Sequence, residues 1–173
     1  SVDRGLYDAW GFGNFEGVAV GDSGTILHFD GTSWSPMTSG TDVSLFGVWG
    51  SSPGDLFAVG VGGTIVHYDG SEWSFMDTPT PQNLSAVWGT ASDNVWAVGD
   101  AGTIIRYDGV SWVSVTSGVA ANLYDVWGSA ADDVWIVGKD GKAEQRAGAP
   151  GPWSGDDWVI SQGVQAGEQV VVD

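Results

Sequence analysis

The chain has 173 residues, with 22 Asp plus Glu against 5 Lys plus Arg, a formal charge of −17 and no cysteine. That balance repels a polyphosphate backbone, which argues against nucleic acid as a partner, and the lack of cysteine excludes a disulfide framework. A 42% apolar content with 11 Trp provides a real core, while no apolar run is long enough for a spanning helix.

The first residues, SVDRG, lack the apolar stretch of a signal peptide, though such a segment is absent from any mature chain. An acidic, Gly-rich, Cys-free composition suits salty or calcium-containing surroundings. The expected compartment is therefore extracellular, periplasmic or the cell surface.

Landmarks recur at one spacing along the chain. Trp10, Trp49, Trp88 and Trp127 are each followed by Gly and lie 39 residues apart, as do Gly21, Gly60, Gly99 and Gly138. Three copies also share Thr25, Thr64 and Thr103, the Asp-Gly pairs at Asp30, Asp69 and Asp108, and Trp34, Trp73 and Trp112. A period of this length is the mark of a repeat architecture. Within a unit, runs such as Leu45 to Trp49, Leu56 to Val59, Thr64 to Tyr68 and Glu72 to Met76 are rich in β-branched and aromatic residues. Each is bounded by Gly, Asp, Ser or Pro, so each reads as a short strand between tight turns. Four such strands with their turns need roughly 40 residues, which makes the period one four-stranded antiparallel sheet. The spacing therefore predicts an all-β fold, a β-propeller with a 39-residue blade, either of four blades or part of a larger propeller.

In chain order the blades are expected at about 6–39, 45–78, 84–117 and 123–162, in a single domain. The second ends in the Pro-rich stretch TPTPQN, which suits an exposed connector. The fourth begins cleanly at Leu123 and then drifts into KAEQRAGAPGPWSGDDW. If Trp158 answers to Trp112, this copy carries seven extra residues, rich in Gly, Ala and Pro, and reads there as a loop. Residues 166–173 are then a closing strand or the start of a further blade. An arc left open would expose strand edges and invite self-association to complete the ring.

The hairpins GTILHFDGTSW from Gly24 and GTIIRYDGVSW from Gly102 resemble the Asp-box of sialidase-type repeats and the related propellers of photosystem II assembly factors. They depart from it by one residue fewer between Asp and Trp, and by His or Arg two places before the Asp. The resemblance implies propeller architecture. Residues 134–173, with VWIVGKDGKAEQR followed by WVISQGVQAGEQVVVD, also resemble the C-terminal part of efflux-pump periplasmic adaptor proteins.

Chemistry has few footholds. The Asp-Gly pairs read as hairpin turns in which the carboxylate accepts turn amides. No DxDxDG string gathers the six to eight oxygens that calcium needs. Any Ca²⁺ would fall to Asp22 and Asp100, since Val61 holds the same place in the second copy and the fold does not demand acid there. His28 and His67 share a position with Arg106, which reads as a strand face tolerant of polar tips. The recurring tryptophans are expected in the core. Trp96 and Trp135 differ, because Val18 and Phe57 precede them at that position. Trp153 sits in the inserted loop beside Asp156 and Asp157. An exposed ring next to carboxylates can stack on a sugar while binding its hydroxyls, so Trp153, Asp156, Asp157, Trp96 and Trp135 form the candidate ligand contact.

The reading is a non-catalytic, lectin-like binding module for a glycan or an extracellular protein, with no nucleic acid and no cofactor. The alternatives are a sialidase-like glycoside hydrolase fragment and a structural or assembly scaffold. The enzyme has only Arg4, Arg106 and Arg146 for a substrate carboxylate, at non-equivalent blade positions.

Overall fold

The computed structural model describes residues 5–13, 16–138 and 143–146. The 39-residue period becomes a row of antiparallel sheets, each taken in chain order from its inner strand outwards. The first holds β1 (Leu6–Gly11), β2 (Gly17–Gly21), β3 (Ile26–Phe29) and β4 (Trp34–Met37). The second holds β5 (Leu45–Ser52), β6 (Asp55–Gly60), β7 (Ile65–Tyr68) and β8 (Trp73–Phe75). The third holds β9 (Leu84–Ala91), β10 (Asn94–Gly99), β11 (Ile104–Tyr107) and β12 (Trp112–Val115). Three strands of a fourth follow: β13 (Leu123–Ala130), β14 (Asp133–Gly138) and β15 (Ala143–Arg146). Among the described residues no helix is long and apolar enough to cross a membrane.

Register repeats as well as order. Trp49 pairs Phe57, Trp88 pairs Trp96 and Trp127 pairs Trp135 across the first two strands of their blades. Val134 pairs Arg146 as Val95 pairs Tyr107, so the degenerate AEQR stretch still forms a third strand without a slip. The expected seven-residue insertion, the expected remainder of the fourth blade and residues 166–173 fall outside the described residues.

The Asp-Gly turns join third and fourth strands in the first three blades. The Asp flanks the loop, and Gly-X forms its two central residues. Asp30, Asp69 and Asp108 donate their N–H to the carbonyls of Ser33, Glu72 and Ser111. Gly31, Gly70 and Gly109 then take φ of +89°, +93° and +91°, a conformation that glycine adopts without Cβ strain. Each carboxylate accepts two turn amides, such as those of Thr32 and Ser33 on Asp30. These bonds hold all three carboxyls below the ordinary Asp value, with the amides of Ser33, Glu72 and Ser111 the leading causes.

The core lies between blades. Val18, Val20, Leu45, Val48, Leu56 and Trp73 pack the first interface, and Trp49, Phe57, Leu84, Trp88 and Trp112 continue it into the second and third. A polar tie accompanies each interface at the residue before the inner strand. Ser44 Oγ donates to Asp22 Oδ1 at 3.2 Å, Asn83 Oδ1 accepts the Gly62 N–H at 2.9 Å, and Asn122 Oδ1 accepts the Ala101 N–H at 3.0 Å. All three clip one blade to the 3-10 turn of the blade before it.

At the two ends of the described row, residues that are buried in the middle blades are exposed. Leu6 is 51% exposed where Leu45 and Leu84 are fully buried, and Trp34 is 50% exposed where Trp73 and Trp112 are buried. At the other end Trp127 is 59% exposed against 4% for Trp49, and Val137 is 41% exposed against 0% for Val59. The described blades are thus an open arc and do not close on one another. Because Trp88 is buried between blades, Trp88→Ala should cost about 3–5 kcal/mol in urea unfolding. Trp127→Ala, at the same repeat position on the open face, should stay within about 0.5 kcal/mol of the parent.

Candidate functional site: a groove at the rim

Between β4 and β5 the chain folds back on itself in a linker whose shape is set by short side chains. Ser39, buried, donates its hydroxyl to the Thr41 carbonyl at 3.2 Å and accepts the Thr41 N–H at 3.3 Å around Gly40, whose φ is +77°. Thr41 Oγ1 in turn accepts the Val43 N–H at 3.3 Å. Ser117 and Val119 repeat the arrangement one linker further on plus a glycine, Gly118, at φ +76°. Side chains bonded to their own backbone in this way hold a loop in one conformation.

This linker forms one wall of a groove of about 560 Å³, and Phe75 of β8 forms the other. Ser23 and Gly24 of the first 3-10 turn, with Met37 and Asp42, also line it. Phe75 is 61% exposed. Its register partner is Val66, and the equivalent places hold Pro36 opposite Leu27 and Ser114 opposite Ile105. The blade therefore tolerates proline or serine there, and nothing in its packing calls for an aromatic. Sequence reasoning missed Phe75. The signal was present, since the same comparison of repeat positions singled out Trp96 and Trp135.

A second cleft of about 280 Å³ lies between the same two blades, lined by Glu16, His28, Met37, Pro53 and Tyr68. His28 Nε2 meets Glu16 Oε1 at 3.2 Å, His67 meets Asp55 at 2.7 Å, and Arg106 Nε donates to Asn94 Oδ1 at 2.7 Å. These three pairs occupy one repeat position. They brace second strand to third, as expected for a strand face that accepts polar tips.

The sequence-derived contact patch is not assembled among the described residues. Trp96 is a correction: it is only 2% exposed, with the Arg106 guanidinium 5.6 Å from its ring centroid. Its side chain points from β10 into the inter-blade core, so it has no face to offer a ligand. Trp135 is half-buried and donates its indole N–H to Asp133 Oδ1 at 2.8 Å. Trp153, Asp156 and Asp157 lie outside the described residues. Arg106 is committed to Asn94 and Trp96, while Arg4 and the Arg146 side chain are likewise outside the description.

Asp22 and Asp100, the candidate calcium ligands, act as struts. Asp22 accepts from the Gly5 N–H at 3.0 Å, the Tyr7 hydroxyl at 2.5 Å and Ser44. Tyr7 is pushed above its usual phenol value chiefly by that bond. Asp100 accepts from Asn83 Nδ2 at 2.9 Å. Among the described residues no three His, Asp or Glu side chains gather as a metal site.

Comparison with known proteins places the architecture. YCF48 bound to D1 peptide superposes with a TM-score of 0.66 at 19% identity, covering 86% of this chain and 53% of that one. YCF48 from Cyanidioschyzon merolae gives 0.63 at 14% identity, with 86% and 57% covered. The chain is a β-propeller arc, in line with the resemblance carried by its hairpins. It spans little more than half the length of each of these structures. Residues 128–173 match the family described as RND MFPs, C-terminal permuted SH3 domain, which agrees with the second resemblance. The matched stretch begins inside β13 and takes in β14 and β15, strands that belong to the fourth blade here. No curated protein matches the chain.

One carboxylate in the arc is disfavoured. Asp8 of β1 is exposed as a residue, yet its carboxylate is tucked against β5, where Oδ2 accepts the Val48 N–H at 2.9 Å. Loss of hydration raises its pKa above the ordinary 3.8, with a smaller push from Asp125, although bonds from Val48 and Ala9 pull the other way. A folded pKa above the unfolded one means that ionised Asp8 costs stability at neutral pH. Asp8→Asn keeps an acceptor for Val48 without the charge, so it should raise the urea midpoint at pH 7. The gain should vanish as pH falls below 3.8, where both side chains are neutral. An equal gain at pH 7 and pH 3 would refute this account.

Proposed function

We propose that this chain is a non-catalytic propeller scaffold that holds an extended, basic segment of a partner protein in the rim groove beside Phe75. The observation that carries the reading is Phe75 itself, 61% exposed on a groove wall at a position where the fold accepts proline or serine. An aromatic anchor in a concave site is the usual centre of a protein interface. The opposite wall, from Thr38 to Asp42, is already ordered by Ser39 and Thr41, so little conformational entropy is lost on binding. Outer strands β4 and β8 flank the groove, which suits a peptide in extended form. The charge of −17 favours cationic partners and speeds their encounter.

A protein partner is also in keeping with the propeller neighbour that was solved with a peptide bound. The glycan reading lacks one of its contacts, because the Trp96 ring is buried. Fluorescence anisotropy with a pool of short labelled peptides, each with Lys or Arg around a central Leu or Phe, tests the proposal. Binding should weaken as salt rises. Phe75→Ala should lower affinity by at least about tenfold, ~1.4 kcal/mol, with an unchanged melting curve. Equal binding by the variant, or equal binding of acidic peptides, would overturn it.

A further inference from the structure

The rim groove has a second feature, besides Phe75, that the blades do not require. Asp42 lines it and is exposed, and its carboxylate takes part in no hydrogen bond or ion pair among the described residues. The carbonyls of Thr41, Thr80 and Val119 each press on the glycine of a 3-10 turn, Gly24, Gly63 and Gly102, where a Cβ would stand 2.0, 2.0 and 1.9 Å from the oxygen. The residue that follows is therefore equivalent in all three linkers, and it is Asp42, Pro81 and Ala120. A position that accepts proline and alanine needs no carboxylate for folding. Asp22, Asp30 and Asp55, by contrast, are taken up as strut, turn and brace.

The backbone fixes where Asp42 stands relative to Phe75. The Phe75 ring comes against Gly40, where a Cβ would meet Cε2 at 3.8 Å. Thr41 Oγ1 accepts the Val43 N–H at 3.3 Å, a bond that spans Asp42 and holds it in a short turn. Gly40 and Asp42 are two residues apart, so their Cα atoms stand within about 7 Å of each other. In an extended segment, residues i and i+2 are also about 7 Å apart and face the same way, whereas i and i+1 face opposite ways. The geometry points to Asp42 as the residue that reads the basic side chain of the bound segment, and to a set spacing in that segment. An apolar side chain lies on Phe75, and a Lys or Arg two residues away, on the same face, meets Asp42. The net charge of the chain draws in any cation, while Asp42 selects where along the segment the cation stands. This inference rests on the groove reading above and adds the side-chain pattern of the partner.

Titration of isotope-labelled protein with short Ser/Gly peptides, followed by amide chemical shifts, tests it. Each peptide carries one Phe and one Arg placed one, two or three residues apart, and a matched set has Glu in place of Arg. The two-apart Arg peptide should bind at least about threefold tighter than either other spacing. Asp42→Asn should lower that affinity about threefold to fivefold and bring the three spacings level. Its melting curve should be unchanged, because the carboxylate supports nothing in the fold. Asp42→Lys should turn the preference to the Glu set at the same spacing, and Phe75→Ala should weaken all of the peptides. Binding that depends on Phe75 but is indifferent to Asp42, or a loss in Asp42→Asn that is equal at all three spacings, would overturn this inference and leave the groove reading standing. No binding of any peptide in the groove would overturn both.

Discussion

The contact on which the structure depends is an aromatic ring laid over a glycine of the next blade. Each blade is a sheet with two faces to cover, and a repeat unit covers its apolar faces by stacking on its neighbours. At Gly50, Gly89 and Gly128 a side chain would collide both with the second strand of the same blade and with the ring from the blade before. Close packing of the blades brings Leu45, Leu84 and Leu123 out of water and stacks the valines of the second strands against the following blade. Burial therefore follows neighbours, and the same residue type is core in the middle of the arc and surface at its ends.

Polar groups serve the same arrangement. The net charge of −17 works against a compact fold, yet many carboxylates are held by specific donors. Asp30, Asp69 and Asp108 close turns, Asp22 and Asp100 tie the 3-10 turns to neighbouring residues, and Asp55 braces His67. Asp8 is the exception, since its bond to Val48 comes at the expense of hydration. Acid at these places is structural. The remaining negative charge sets the field that a partner meets on approach.

Repetition also separates what the fold requires from what it merely accepts. Positions filled alike in every blade are packing, and positions whose occupant changes are free to serve function. Phe75 is such a position, since Pro36 and Ser114 show that the blade is indifferent to the side chain there. The comparison misleads for Trp96, where the occupant also varies although Val18, Phe57 and Trp96 are all buried. Variation therefore indicates function only when the position is also exposed.

The sequence by itself determined the period, the four-strand blade, the Asp-Gly turns and the core role of Trp49, Trp73, Trp88 and Trp112. All of these follow from local spacing and side-chain type. It also showed that AEQR replaces the usual third-strand residues, but not that the backbone keeps its register there, because strand pairing is supplied by β14 rather than by the segment's own residues. Tertiary structure alone decided which equivalent residues are covered: Trp127 and Trp88 are identical in local sequence role and differ only in whether a following blade packs on them. The rim groove belongs to the same class, since Thr41 and Phe75 lie far apart in the chain and meet only when two blades stand side by side.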